Sequence, residues 1–227
     1  MPFVSKTGMF RLGRGKKGLI TNGLIIQLDA NNSDSYPGTG TTVYDVTSGF
    51  THTLTDGATF TTLSGVKTFD CTSTNRRLVC NGTGPTLANT GYTYITWAKI
   101  ITSSAGWRTL LRSSPNDHQL LVQINTDNLG FYDNNTSAFI DSGYDITTIK
   151  DIWAQYTVVA DSSSTTFYIN GSQVGSIAYG AGGNVHVAWG GWPGQPFGYV
   201  ANLFYYNRKL SLSEITQQYN VLVSRFI

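Results

Sequence analysis

Glutamate occurs once in 227 residues, at Glu214. Charged residues of either sign make up 12% of the chain, about half the usual share. Helical proteins lean on Glu, Lys, Ala and Leu, so this scarcity argues against a helical fold. No stretch approaches the ~20 apolar residues of a membrane span. The opening MPFVSKTGMFRLGRGKKG carries charge but no apolar run of the length a secretory leader needs. Cysteine is limited to Cys71 and Cys80. The two could face each other across a hairpin, but for a chain without a leader two reduced thiols are the expectation.

Thr, Ser, Gly, Asn, Tyr and Val are what the chain has instead. β-Branched and aromatic residues favour strands, and Gly, Asn and Asp favour turns. GLIIQLDA, YTYITWAKII, IWAQYTVVAD, TTFYINGSQVGS and GYVANLFYYN read as strands separated by Gly- and Asn-rich turns. In YTYITWAKII, Ile95 and Trp97 fall on one face and Tyr94, Thr96 and Ala98 on the other. Asp56-Gly57 and Asn170-Gly171 are hairpin signals, because both residues of a type I′ turn need positive φ. Many short strands at this spacing predict an all-β, two-sheet antiparallel sandwich.

One helix is expected at the end of the chain. Ser211 is followed three residues later by Glu214, a capping box. Leu212, Ile215, Tyr219 and Leu222 recur at helical spacing. The helix should span 212–222 and lay one apolar stripe on the sandwich, since alone it would be marginal.

Charge is unevenly placed. Lys6, Arg11, Arg14, Lys16 and Lys17 put +5 into the first 17 residues. The other 210 residues hold 15 − 5 = 10 basic and 13 acidic groups, a net of −3. Residues 1–22 therefore read as a basic, Gly-rich arm and 23–227 as one domain. GRGKKG within the arm matches G-x-G-x-x-G literally, but no strand leads in and no helix follows, so nucleotide binding is rejected. The arm, with Phe10 among its charges, suits a groove on a neighbouring protein, and nucleic acid is the weaker match for a body of net −3.

Three stretches carry a resemblance. YTYITWAKI resembles a strand ending in a buried Trp. WAQYTVVADSSSTTFYINGSQVGS resembles a Trp-led strand, a turn and a strand ending in Tyr-x-Asn-Gly. GYVANLFYYNRKLSLSEITQQYN resembles a closing strand, an Asn-Arg-x-Leu-Ser turn and a terminal helix. In this order they resemble the concanavalin A-like, laminin-G-like jelly-roll family over residues 23–222. The opening Leu-Asp-Ala and Tyr-Pro-Gly-Thr-Gly is similar to versions in tailed-phage and large-virus structural proteins. The resemblance implies a jelly-roll sandwich, but the family holds lectins, glycosidases, adhesion modules and capsid components, so fold does not settle function.

The chemistry of the sequence narrows the choice. Glycoside hydrolysis needs two flanking carboxyl groups; no Asp-x-Asp or Asp-x-Glu pair occurs, and the one Glu is explained by its cap. No G-x-S-x-G nucleophile motif is present. His52, His118 and His186 are scattered, without zinc-ligand spacing. No catalytic residue and no cofactor are expected; calcium, for which Asp117, Asp127 and Asp133 lie near turns, is the weaker alternative. The leading expectation is a non-enzymatic virion structural protein, a minor capsid, decoration or tail component. Its partners would be capsid or tail subunits, met through Lys6, Phe10, Arg11, Arg14, Lys16 and Lys17. The alternative is a lectin-like module for host-surface glycans, with Trp192 and Trp107 as stacking platforms.

Overall fold

A computed structural model of the chain describes residues 18–73, 75–87, 90–101, 106–114, 117–180, 183–189, 195 and 198–227, with backbone alone at 114 and 183–189. The strands, in chain order, begin with β1 (Leu24–Asp29), β2 (Thr42–Tyr44), β3 (Thr51–Thr55), β4 (Thr59–Leu63), β5 (Val66–Cys71) and β6 (Arg77–Cys80). Then come β7 (Thr86–Leu87), β8 (Tyr92–Ile100), β9 (Arg108–Ser114), β10 (His118–Val122), β11 (Asn128–Asp133) and β12 (Ala138–Asp145). The last are β13 (Ala154–Ala160), β14 (Thr165–Ile169), β15 (Ser172–Ile177), β16 (Gly183–Trp189) and β17 (Gly198–Tyr206), followed by helix α1 (Leu212–Leu222).

They form two antiparallel sheets. The first runs β15-β14-β13-β8-β17-β5-β4, with β1 also on β17. The second runs β12-β11-β10-β9-β16-β6-β3-β2, with β7 also on β16. Alternation along each strand decides what lies between them. Tyr94 and Ala98 of β8, Tyr156 and Val158 of β13, and Leu203 and Tyr205 of β17 face Leu110, Leu120, Val122, Leu129 and Phe131 of the second sheet. The tyrosine hydroxyls find partners across the layer: Tyr94 donates to the Leu110 carbonyl (2.9 Å) and Tyr205 to that of Thr86 (2.9 Å).

The other face of the first sheet is covered by α1. Ile95, Trp97 and Phe204 meet Ile215, Leu222 and Phe226 there. Trp97 is stacked between Tyr219 (centroids 5.6 Å apart, planes at 14°) and Phe226 (4.1 Å, 5°). The capping box is formed: the Ser211 hydroxyl accepts from the Glu214 amide, and the Glu214 carboxylate accepts from the Ser211 amide at 2.9 Å. The stripe differs from expectation at one position. Leu212 is 57% exposed, and Gln218 takes the buried place, its amide donating to Tyr206 Oη (2.6 Å) and accepting from the Ile20 amide (3.0 Å). Residues 18–22, which the sequence groups with the arm, thus lie against α1, with Leu19 and Ile20 packed on the same apolar cluster. Lys6, Phe10, Arg11, Arg14, Lys16 and Lys17 lie outside the described residues.

One turn differs from its reading. Asp56 and Gly57 both have positive φ (56° and 80°), but they do not close a hairpin. They pass the chain from β3 in the second sheet to β4 in the first. The hairpin is made by the next pair, Ser64 and Gly65 (φ 50° and 82°), with Leu63 opposite Val66. Cys71 and Cys80 are buried free thiols, one on each sheet.

Candidate functional site

No helix covers the outer face of the second sheet among the described residues. Leu129 and Phe131 of β11 point into the core, so Gly130 and Tyr132 face outward. Register then builds a row across four strands. Arg112 of β9 lies opposite His118 of β10, His118 opposite Tyr132 of β11, and Tyr132 opposite Phe139 of β12. Irregular pairing around Leu120 and Leu121 keeps the row aligned.

Trp107, just before β9, folds over this row. Its ring lies 5.1 Å from Tyr132 at 64° and 5.7 Å from Phe139 at 50°; His118 meets the same tyrosine edge-on at 6.1 Å. These are favoured aromatic geometries. Gly130 makes room: a Cβ there would come within 2.6 Å of the Phe139 ring and 2.4 Å of the Ile140 carbonyl. A residue with a side chain would push Phe139 off the sheet and Trp107 with it.

Between the rings and the strands is a cleft of about 360 Å³, lined by Trp107, Arg112, His118, Leu121, Tyr132, Asn134 and Gln195. Its polar atoms have defined roles. The Thr109 hydroxyl lies 2.8 Å from His118 Nδ1 and donates to Gln195 Oε1 at 2.9 Å. A carbonyl oxygen can only accept and a hydroxyl has one proton, so that proton belongs to the Gln195 bond. His118 must then donate through Nδ1–H to Thr109, which leaves Nε2 as an acceptor. Burial, reinforced by the Arg112 charge, lowers the His118 pKa to about 4, so the ring is neutral at pH 7. Gln195, its oxygen engaged, offers its NH₂ as a donor.

Acidic groups stand beside the cleft without lining it. Asp133 accepts from the Thr136 and Tyr179 hydroxyls (both 2.6 Å), which hold its pKa down to about 2. Asp117 accepts from the Asn134 amide (3.1 Å), fixing the turn that carries Asn134 into the cleft. Burial, with the negative charge of Asp133, raises the Asp117 pKa. Asp127 bridges Arg108 (2.9 Å) and Lys150 (2.5 Å). These three aspartates, read from sequence as calcium candidates, hold loops and ion pairs. No group of three or more His, Cys, Asp or Glu among the described residues is placed to hold a metal ion.

Of the sequence-based glycan candidates, Trp107 lines the cleft and Trp192 lies outside the described residues. Sequence reading missed Arg112, His118, Tyr132, Asn134 and Gln195. Only the cross-strand register and the long-range bond of Gln195 bring them together.

The comparisons agree with the architecture. Among solved structures, the binding domain of Paraclostridial mosquitocidal protein 1 is similar at TM-score 0.63 and 17% identity, over 87% of this chain and 52% of that one. The binding domain of botulinum neurotoxin DC in complex with SialylT is similar at 0.63 and 14%, over 88% and 51%. Trypanosoma rangeli sialidase in complex with sialic acid is similar at 0.62 and 15%, over 91% and 34%. This chain thus spans about a third to a half of the length of these structures, and at such identities the likeness is one of fold. No curated protein matches the chain. A family model for laminin-G-like domains of the concanavalin A-like lectin/glucanases superfamily matches residues 72–216, more than half of the sequence. From the two sheets, the closing helix and this match together, the chain belongs to the concanavalin A-like lectin/glucanases superfamily.

Proposed function

We propose that the protein is a saccharide-binding module without hydrolytic chemistry, and that the cleft on the second sheet is its site. The observation that carries this is the convergence of an aromatic wall, Trp107 with Tyr132, and polar groups of fixed role on one cleft. A sugar presents a C–H face that packs on an aromatic ring and hydroxyls that must each find a partner. His118 Nε2 accepts, and the Gln195 amide donates. The volume falls in the ~300–1,000 Å³ range of small-ligand sites. The SialylT and sialic acid named with two structural neighbours support the reading at the level of fold.

Hydrolysis by the common two-carboxylate route would require two carboxyl groups set about 5–9.5 Å apart across the bond. Asp117 and Asp133 are instead engaged with the turn after β11 and with Tyr179. A structural role in a virus particle rests on the basic arm and on resemblance; no contact among the described residues favours it.

A glycan array probed with the full chain tests the reading, followed by calorimetry on the best ligand. Trp107→Ala should weaken binding by roughly 5- to 10-fold, the order expected for one lost ring stack. An empty array, or a Trp107→Ala protein that binds unchanged, would remove the assignment.

A further inference from the structure

His118 and Gln195 reach the cleft from distant parts of the chain, and one side chain joins them. Thr109, on β9, is wholly buried and does not itself line the cleft. Its hydroxyl lies 2.8 Å from His118 Nδ1 and 2.9 Å from Gln195 Oε1. A β-branched side chain is restricted at χ1, so this hydroxyl is held in place. One oxygen thus sets the direction of two hydrogen bonds. The Gln195 carbonyl oxygen can only accept, so the single hydroxyl proton goes there, and a hydroxyl lone pair takes the His118 Nδ1–H. A neutral imidazole has one proton, and burial with the Arg112 charge keeps this ring neutral at pH 7. His118 Nε2 therefore carries a lone pair, and none of the described residues donates to it. Tyr132, the nearest ring, meets the imidazole edge-on at 6.1 Å.

We propose that Thr109 is a positioning residue that sets the hydrogen-bond polarity of the cleft, and that the cleft takes a sugar through one free hydroxyl donating to His118 Nε2 and a second accepting from the Gln195 amide. The Trp107 and Tyr132 rings pack on the C–H face of the same sugar. A site with a lone pair at this point rejects a group that brings only a lone pair to it. An ether oxygen, a fluorine or a carboxylate oxygen meets Nε2 acceptor against acceptor, whereas a bare C–H merely leaves Nε2 unpaired. The ligand class is a sugar that is neither substituted nor ionised at this position. This inference rests on the saccharide-binding reading and adds the hydroxyl chemistry that the site selects.

The test uses the full chain at pH 7 and has two readouts. Imidazole ¹⁵N shifts, with His118→Gln to identify the signals, should place the His118 proton on Nδ1 before any sugar is added. Calorimetry then compares the methyl glycosides of galactose, glucose and mannose with their monodeoxy and monodeoxyfluoro derivatives. At one ring position of a bound glycoside, both derivatives should bind at least tenfold more weakly, and the deoxyfluoro sugar should be the weaker of the two. Thr109→Val should move the His118 proton to Nε2 and erase that order, while Thr109→Ser, which keeps the hydroxyl, should preserve both. If Thr109→Val does not fold, the wild-type shifts and the wild-type sugar series still decide. An Nε2–H signal in the wild type, or no position where the deoxyfluoro sugar is the weakest, overturns the inference and leaves the saccharide reading standing. So does failure of all three glycosides when the array shows another glycan bound. An Nδ1–H tautomer that survives in folded Thr109→Val removes Thr109 from its role. Failure of every sugar, in this series and on the array, overturns both readings.

Discussion

His52 is wholly buried at the pairing of β3 with β6, and neither ring nitrogen meets a hydrogen-bond partner among the described residues. Burial lowers its pKa to about 4, against a smaller opposing pull from Asp45. His118 is lowered to about the same value. Between pH 6.5 and 4 the unfolded chain therefore binds protons that the folded one refuses, so stability rises with pH across this window. It is fully present above 6.5. Each histidine contributes a slope of at most about 1.4 kcal/mol per pH unit. Urea unfolding at pH 7.0 and 5.5 should differ by about 2 kcal/mol, with the lower stability at pH 5.5. His52→Leu should roughly halve that difference, and other titrating groups cancel in the comparison. It should also raise stability at pH 7 by about 1 kcal/mol, because an unsatisfied buried polar group is removed. An unchanged pH dependence in the variant would show that folding does not shift the His52 pKa. Residues of this kind are not legible in sequence. THTLT shows alternation and places His52 with Leu54, but it cannot say which nitrogens go without partners. Trp107 was legible because a tryptophan after Ser-Ser-Ala-Gly has little to pack on in its own segment. Arg112 and His118 were not, since each looks like an ordinary strand residue until register sets them opposite one another.

The closing helix shows how far local chemistry can be read. Its cap depends on two residues three apart, and both the cap and the 212–222 span are as the sequence predicts. The single glutamate of the chain serves two partners there. Arg208 reaches it with two bonds, Nη1 at 3.0 Å and Nη2 at 2.6 Å, while its carboxylate also accepts from the Ser211 amide. This ion pair, with the cap, holds its pKa down to about 2. Ser211→Ala should cost about 1 kcal/mol. Glu214→Ala, which also frees Arg208 in a half-exposed setting, should cost about 1–2 kcal/mol. The Glu214 share is present above pH 4.5 and lost as pH falls from 4.5 toward 2, because the folded carboxyl is the stronger acid. Thermal unfolding at pH 7 and pH 3 checks both; a Glu214→Ala protein as stable as wild type at pH 7 would mean the helix is held by packing alone. The turns were less legible for a physical reason. Asp-Gly and Ser-Gly both supply two residues of positive φ, but φ does not say whether the next strand returns to the same sheet or crosses to the other. That choice is made by the apolar faces of β4 and β5 seeking Tyr36 and the core.

At the scale of the whole molecule, one sheet has its outer face sealed and the other presents a cleft. The composition and strand spacing made the two-sheet architecture legible, because period-2 alternation is a local property. The cleft is not local: its lining comes from three strands, the segments flanking them and the distant Gln195, and irregular pairing at β10 aligns them. The seal is also assembled from both chain ends. Gly18 and Asn22 accept from Gln217 and Arg208, Ile20 bonds to Gln218 and Tyr206, and Leu19 and Ile20 lie on the apolar cluster under α1. Arg225 closes the far end with two 2.8 Å bonds to Asp29. Two truncations separate the basic charges from this clasp. A chain beginning at residue 18 keeps every described contact. A chain beginning at residue 23 loses five hydrogen bonds, one of them the short-range bond from the Leu24 amide to the Thr21 carbonyl, each worth about 1 kcal/mol net, and the partial burial of Leu19 and Ile20. The second should be less stable than the first by about 3–5 kcal/mol, or roughly 10 °C in Tm. The cleft lies on the opposite sheet, so both should bind the same saccharide with equal affinity at temperatures where both are folded. Equal Tm values would show that α1 seals the sheet without residues 18–22. A loss of saccharide binding confined to the shorter chain would show that the two faces are coupled through the core.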